Sequence, residues 1–350
     1  MQRVSVIAGD GVGQEVTAEA LRVLRAVISA ERLEITIEEL DYGAERYLRD
    51  GTTLPDGEVE RLRRDANAIF LGALGDPRIP DMRHGREILL RLRFELDLYI
   101  NLRPVACLAD TLCPLKNTRA SDIDFTVFRE NTEGIYVGVG GQVKRGTADE
   151  IAINEDVNTR KGVERIVRAA FEHAARVGAG SVTMADKSNA MRHAHDLWQR
   201  TFQQVAADYA QIEARHVYID ALAMELIRAP EAFDVIVTNN LFGDIITDLG
   251  AQLQGGMGMA ASANLNGRDM GLFEPVHGSA PPLAGRGVAN PVAAILSMQL
   301  LLRHLGHAGA AERVSAAVRA AVASGWLTQD VGGTCTTEQV GHFIAERAAD

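Results

Sequence analysis

A chain of 350 residues that is 47% hydrophobic can bury a large core, and its length points to two domains or one large α/β unit rather than to disorder. Its net charge of −11 argues against nucleic acid or an anionic membrane as a partner, because both reward a broad basic face; an anionic ligand must then be held by a local cluster of cations. No apolar run reaches the roughly eighteen residues of a membrane span, and Cys107, Cys113 and Cys335 lack metal-ligand spacing, so the expectation is a cytoplasmic protein with reduced thiols.

The chain opens on "MQRVSVIAGDGVG", a short apolar strand meeting glycines rather than a signal peptide. Apolar strand-like runs then alternate with amphipathic stretches. "RVSVIAG" precedes a helix over 14–30, "AIFLGALG" one over 86–98, "SVTMADK" one over 190–209 and "FDVIVTN" one over 241–254. This alternation predicts a layered α/β architecture with much parallel sheet. Residues 135–155, rich in Gly and β-branched side chains, predict a projecting hairpin arm. Beyond about 255 the chain turns glycine-rich before helices predicted near 291–305, 309–324 and 337–349.

Candidate chemistry follows the same order. "GDGVGQE" at 9–15 invites a dinucleotide-binding reading, yet Gln14 stands where the third glycine is needed, so a glycine turn between strand and helix is the better reading. Arg93 and Arg103, in "LRLRFELDLYINLRP", and Arg129, ending the strand of "DFTVFRENTEGIY", could clamp a di- or tricarboxylate; for a lone arginine, pairing with Glu95 or Asp97 is the simpler account. Tyr136 and Lys187 suit a general acid and base at the C-terminal edge of a sheet. Asp244 and Asp248 share one helical face of an apolar segment, where they repel unless a cation sits between them; with Asp220 they make a carboxylate set suited to Mg²⁺ or Mn²⁺. N-capping is the alternative for Asp244.

These blocks resemble the β-decarboxylating 2-hydroxyacid dehydrogenases, a family that includes isopropylmalate, isocitrate, homoisocitrate, tartrate and D-malate dehydrogenases. "IAGDGVGQEV", "FRENTEGIY", "ADKSNA", "YIDALAMELI", "TNNLFGDIITDLG", "EPVHGSAP" and "ANPVAAILS" carry the likeness over nearly the whole chain, and it is nearest to the isopropylmalate branch. The resemblance implies a non-Rossmann, two-domain α/β fold of the isopropylmalate/isocitrate dehydrogenase type. Residues 1–98 with about 254–350 would form the larger, nucleotide-binding domain, and 99–253 a smaller dimerisation and metal domain with the arm at about 135–155. It further implies a homodimer with shared sites, in which the lysine and the first aspartate reach across from the partner.

By the same resemblance, Arg93, Arg103 and Arg129 bind substrate, Lys187 is the base, Tyr136 the acid, and Asp220, Asp244 and Asp248 hold the metal, with Asp220 counted among the catalytic groups. The implied reaction oxidises the C2 hydroxyl of a 3-substituted (R)-malate and releases the β-carboxylate as CO₂. His277, Gly278, Ser279, Ala280 and Asn290 fall on the family's adenosine loop. Pro282 replaces the usual ribose-binding Asp, which leaves NAD favoured, with NADP open through Arg286. Leu89 and Leu90 fall on the substituent pocket and favour 3-isopropylmalate. Arg83, His84 and Arg86 nearby either accept a charged substituent or face solvent, and the Glu expected on this segment is displaced to Glu87. The alternatives are therefore D-malate, tartrate, homoisocitrate or another anionic malate analogue, and, in another class, an inactive regulatory homologue. Retention of Lys187 and all three aspartates argues against the last.

Overall fold

A computed structural model describes all 350 residues. The first elements are β1 (Gln2–Gly9), α1 (Val12–Glu31), β2 (Ile35–Glu39), α2 (Ala44–Asp50), α3 (Glu58–Asp65), β3 (Ala68–Ala73), α4 (Arg83–Glu95), β4 (Ile100–Ala106) and β5 (Asp124–Glu130). A hairpin of β6 (Gly140–Val143) and β7 (Ile151–Asn154) follows. Then come α5 (Arg160–Val177), β8 (Ser181–Asp186), α6 (Arg192–Ala206), β9 (Glu213–Tyr218), α7 (Ile219–Arg228), β10 (Val235–Thr238) and α8 (Asn240–Leu253). The chain closes with β11 (Ala261–Leu265), β12 (Gly271–Pro275), α9 (Val292–His304), α10 (Ala308–Ala323) and α11 (Thr337–Ala349).

The chain divides into two compact units, one of residues 1–98, 103–123 and 251–350, the other of 99–102 and 124–250. Residues 103–123 thus group with the larger unit, whereas the resemblance assigns all of 99–253 to the smaller. In the larger unit the strand order is β2-β1-β3-β12-β11, parallel except for the antiparallel β11–β12 pair. All six residues of β3 are buried, as expected of a parallel strand covered on both faces. Ile7, Ile69 and Leu71 pack with Leu62, Ile88 and Leu92 from α3 and α4, and α9 covers strands of the same sheet.

The smaller unit is a parallel sheet in the order β5-β10-β8-β9. Its register sets Thr238 beside both Arg129 and Ala185, so Arg129 and the residues just after β8 lie at the carboxyl ends of neighbouring strands. Helix α5, missed in the strand–helix alternation because it follows the hairpin rather than a strand, starts on a Thr159 cap that accepts from Gly162 N and buries Val163, Ile166, Val167 and Phe171. The arm is antiparallel as predicted, with every residue of β6 and β7 exposed. No helix is long and apolar enough to cross a membrane.

Candidate active site

In the smaller unit the site is built where β5 meets α8. Arg129 is 1% exposed, and its guanidinium lies along the helix, with Nε and Nη2 donating to Asn240 Oδ1 at 3.0 and 2.7 Å and Nη1 bonded to Asp244 Oδ1. Gly243 makes room: a Cβ there would stand 2.5 Å from Arg129 Cγ. Tyr136, in a short turn of 3₁₀ helix, donates its hydroxyl to the other Asp244 oxygen at 2.7 Å and lies under the guanidinium, 5.3 Å from its ring centroid. These contacts correct two expectations. Asp244 lies in the second turn of α8, so it is not the cap; Asn239 caps instead, through Oδ1 accepting from Phe242 N at 2.9 Å. Nor is the aspartate face buried, since Asp248 and its neighbour Ile245 are exposed, and the cation at Asp244 is supplied by Arg129.

A second cluster joins β8 to α7. Lys187 directly follows β8, and its Nζ donates to Asp220 Oδ1 at 2.7 Å, which together with backbone donors holds the exposed Asp220 carboxyl below its ordinary range. The chain has four lysines, and Lys116, Lys144 and Lys161 are exposed; Lys187 alone is partly buried. Within one chain no three Asp, Glu, His or Cys side chains converge to hold an ion, so Asp220 does not join Asp244 and Asp248.

In the larger unit Arg93 closes α4, 6% exposed, and pairs not with Glu95 or Asp97 but with Glu274 on β12 at 2.8 Å. Asn264 Nδ2 also donates to that Glu274 oxygen at 2.9 Å, and Glu95 is taken by Arg91. Arg103 is buried on β4, which runs through Pro104 to Ala106. The basic trio is not a free cluster. Arg83 pairs with Glu87 at 2.6 Å, and Glu87 also accepts from Thr53. His84 is fully buried with Nε2 2.8 Å from Asp10 Oδ2; only Arg86 of the three is exposed without such a pair. Leu89 packs against the α3–α4 core, and Leu90 is half-buried.

The glycine turn at 9–15 is also built for close approach, since a Cβ at Gly9 or Gly11 would collide with the carbonyls of Ala73 or Ser279. Val12 N donates to Ser279 O at 2.9 Å, and Glu15 accepts from the amides of Gly285 and Gly287, tying the start of α1 to the loop over 276–290. On that loop Ser279 is buried, Gly278 is exposed, and Ala280 adopts φ 37°. Asn290 donates to Asp330 at 3.1 Å. His277 Nδ1 lies 3.0 Å from Gly278 O, whereas its Nε2 is buried without a hydrogen-bond partner, and burial pushes the ring's pKa down. An orphaned neutral ring nitrogen beside exposed backbone suits a polar ligand such as a nucleotide. Glu15, Glu274, Asp10 and His195 were not singled out from sequence, although Asp10 and Glu15 lie inside the glycine motif and Glu274 opens "EPVHGSAP"; His195 alone carried no local signal.

The family model "Isocitrate/isopropylmalate dehydrogenase" matches residues 3–344. A 3-isopropylmalate dehydrogenase of Thermobifida fusca is 47% identical, over 99% of this chain and 98% of its own length, and one of Streptomyces griseus is 47% identical over 99% and 98%. Among solved structures, an isocitrate dehydrogenase from Methylococcus capsulatus superposes with a TM-score of 0.90 at 35% identity, covering 100% of both chains. Family match, full-length relatives and shared fold agree, and the chain belongs to the isocitrate/isopropylmalate dehydrogenase family.

Proposed function

We propose that this chain carries out the NAD- and divalent-metal-dependent oxidative decarboxylation of a 3-substituted (R)-malate, 3-isopropylmalate first among them. The observation that carries the choice of substituent is the state of the basic trio. Arg83 is neutralised by Glu87 and His84 is buried on Asp10, which removes two of the three basic side chains from reach of a charged substituent and favours the apolar one that Leu90 suits.

In this reading Lys187 takes the C2 hydroxyl proton as C2 gives its hydride to NAD; it is the lone lysine that is partly buried, and an arginine could not serve because it does not deprotonate. Tyr136, its hydroxyl aimed at Asp244, returns a proton to C3 after CO₂ leaves. Arg93, Arg103 and Arg129 are assigned to the substrate carboxylates, and the His277 loop to the adenosine. Asp244 and Asp248 are hard oxygen donors that fit Mg²⁺ or Mn²⁺, which when bound would polarise the C2 oxygen. The third carboxylate, Asp220, is assigned to a second copy of the chain. That assignment is supported by α7, which buries only Leu222 and Leu226 while Met224 is 67% exposed, and by the apolar face of the arm.

The test is purified protein with NAD and Mn²⁺ against a panel of 3-substituted malates, followed by NADH absorbance and CO₂ release. The expected result is the highest kcat/KM for 3-isopropylmalate. Saturation by homoisocitrate, D-malate or tartrate with none by 3-isopropylmalate would overturn the choice.

A further inference from the structure

His195 sits in the first turn of α6 with its side chain entirely buried, its ring edge-on to Phe242 at 5.5 Å. Its Nδ1 accepts the backbone N–H of Lys187 at 2.8 Å. The Lys187 carbonyl accepts from Ala190 N and Met191 N at 2.9 and 2.8 Å, so both backbone polar groups of this residue are held, one of them by a side chain eight residues ahead. The other end of the ring faces α8, with Nε2 3.3 Å from the side-chain amide of Asn239 and 4.0 Å from Asp156. Asn239 is the residue that caps α8. With Nδ1 accepting from Lys187, Nε2 carries the ring proton, so its contact with the Asn239 amide nitrogen, itself a donor, is packing rather than a hydrogen bond.

We propose that His195 is a positioning residue for Lys187, a reading that rests on the function proposed above. To accept from Lys187, Nδ1 must lack a proton, and burial favours the neutral ring by pushing its pKa down, against the opposing pull of Asp186 and Asp156. A hydrocarbon of the same volume would fill the space yet orphan the Lys187 N–H, and displacing a base by about 1 Å is enough to slow a reaction roughly a hundredfold.

Two polar substitutions separate positioning from packing. His195→Asn offers Oδ1 near the position of Nδ1, whereas His195→Gln reaches the Nε2 position and leaves the Lys187 N–H unmet. Each protein is assayed with 3-isopropylmalate and its C2-deuterated form. The lysines are also dimethylated with ¹³C-formaldehyde, so that Lys187 contributes one of four side-chain methyl resonances. For His195→Gln we expect kcat down by about 10- to 100-fold, KM for NAD within about twofold, a larger deuterium isotope effect on kcat and a displaced Lys187 resonance. His195→Asn is expected to restore kcat to within about threefold and to return the resonance. Wild-type isotope effects and resonances in both variants would overturn the proposal, since loss of folded protein lowers activity without moving either. If His195→Gln does not fold, a displaced Lys187 resonance in His195→Asn overturns the proposal and an unmoved one supports it. Absence of wild-type turnover with every malate tested would instead sink the functional reading, and the resonances would still decide the role of His195.

Discussion

Lys187 is one lysine among 36 cationic residues that are otherwise nearly all arginine, and the difference matters because an amine can give up its proton whereas a guanidinium does not. Lys187→Ala is expected to lower kcat by about 10²- to 10⁴-fold at unchanged thermal stability; turnover within tenfold of wild type would remove it from the role of base. Glu130, beside Arg129, shows a different balance. Its carboxyl accepts from Thr132 N and Oγ1 and from Glu133 N, with Arg165 at 3.9 Å, yet burial wins and lifts its pKa from 4.5 to about 6. The folded state therefore holds this proton more tightly than the unfolded one. The resulting stability is present below about pH 4.5 and is lost as pH rises through 6, on the order of 2 kcal/mol. Urea unfolding of wild type and Glu130→Gln at pH 4.5 and 7 should show that component only in wild type. Residue identities at such sites were legible in the motifs, but their partners were not: Arg93 meets Glu274 across 181 positions, and only folding brings them together.

At the scale of the element, α8 joins two demands that oppose each other. A glycine inside a helix costs about 1 kcal/mol relative to alanine, but at Gly243 a methyl group would press into Arg129. Overpacking costs about 1–3 kcal/mol, so Gly243→Ala is expected to be net destabilising and to raise KM for the substrate by displacing Arg129. A more stable variant by denaturant titration would show that Arg129 is free to move. The α8 segment was readable because "FDVIVTN" announces the strand before it, and α1, α9, α10 and α11 began and ended within two residues of expectation. Helices α2, α3 and α5 were not, since none follows one of the apolar runs that marked α1, α4, α6 and α8.

For the whole molecule, the two site clusters of the smaller unit, Arg129–Tyr136–Asp244 and Lys187–Asp220, make a direct test of sharing between copies. If each active site takes Lys187 and Asp220 from one copy and Asp244 from the other, Lys187→Ala and Asp244→Asn proteins, each inactive, should recover about a quarter of wild-type activity when unfolded and refolded together, because half the dimers formed carry one intact site of two. No recovery, with a dimer confirmed by sedimentation, would place each site within a single copy. The division of the chain also fixes an order of assembly during synthesis. The smaller unit is complete once residue 250 has been made, but β3 in the larger unit waits for its neighbour β12, pairing Ile69 with Leu272, until some two hundred further residues have been added. On the ribosome, then, the first hundred residues carry a bare apolar strand edge while a later segment folds past them.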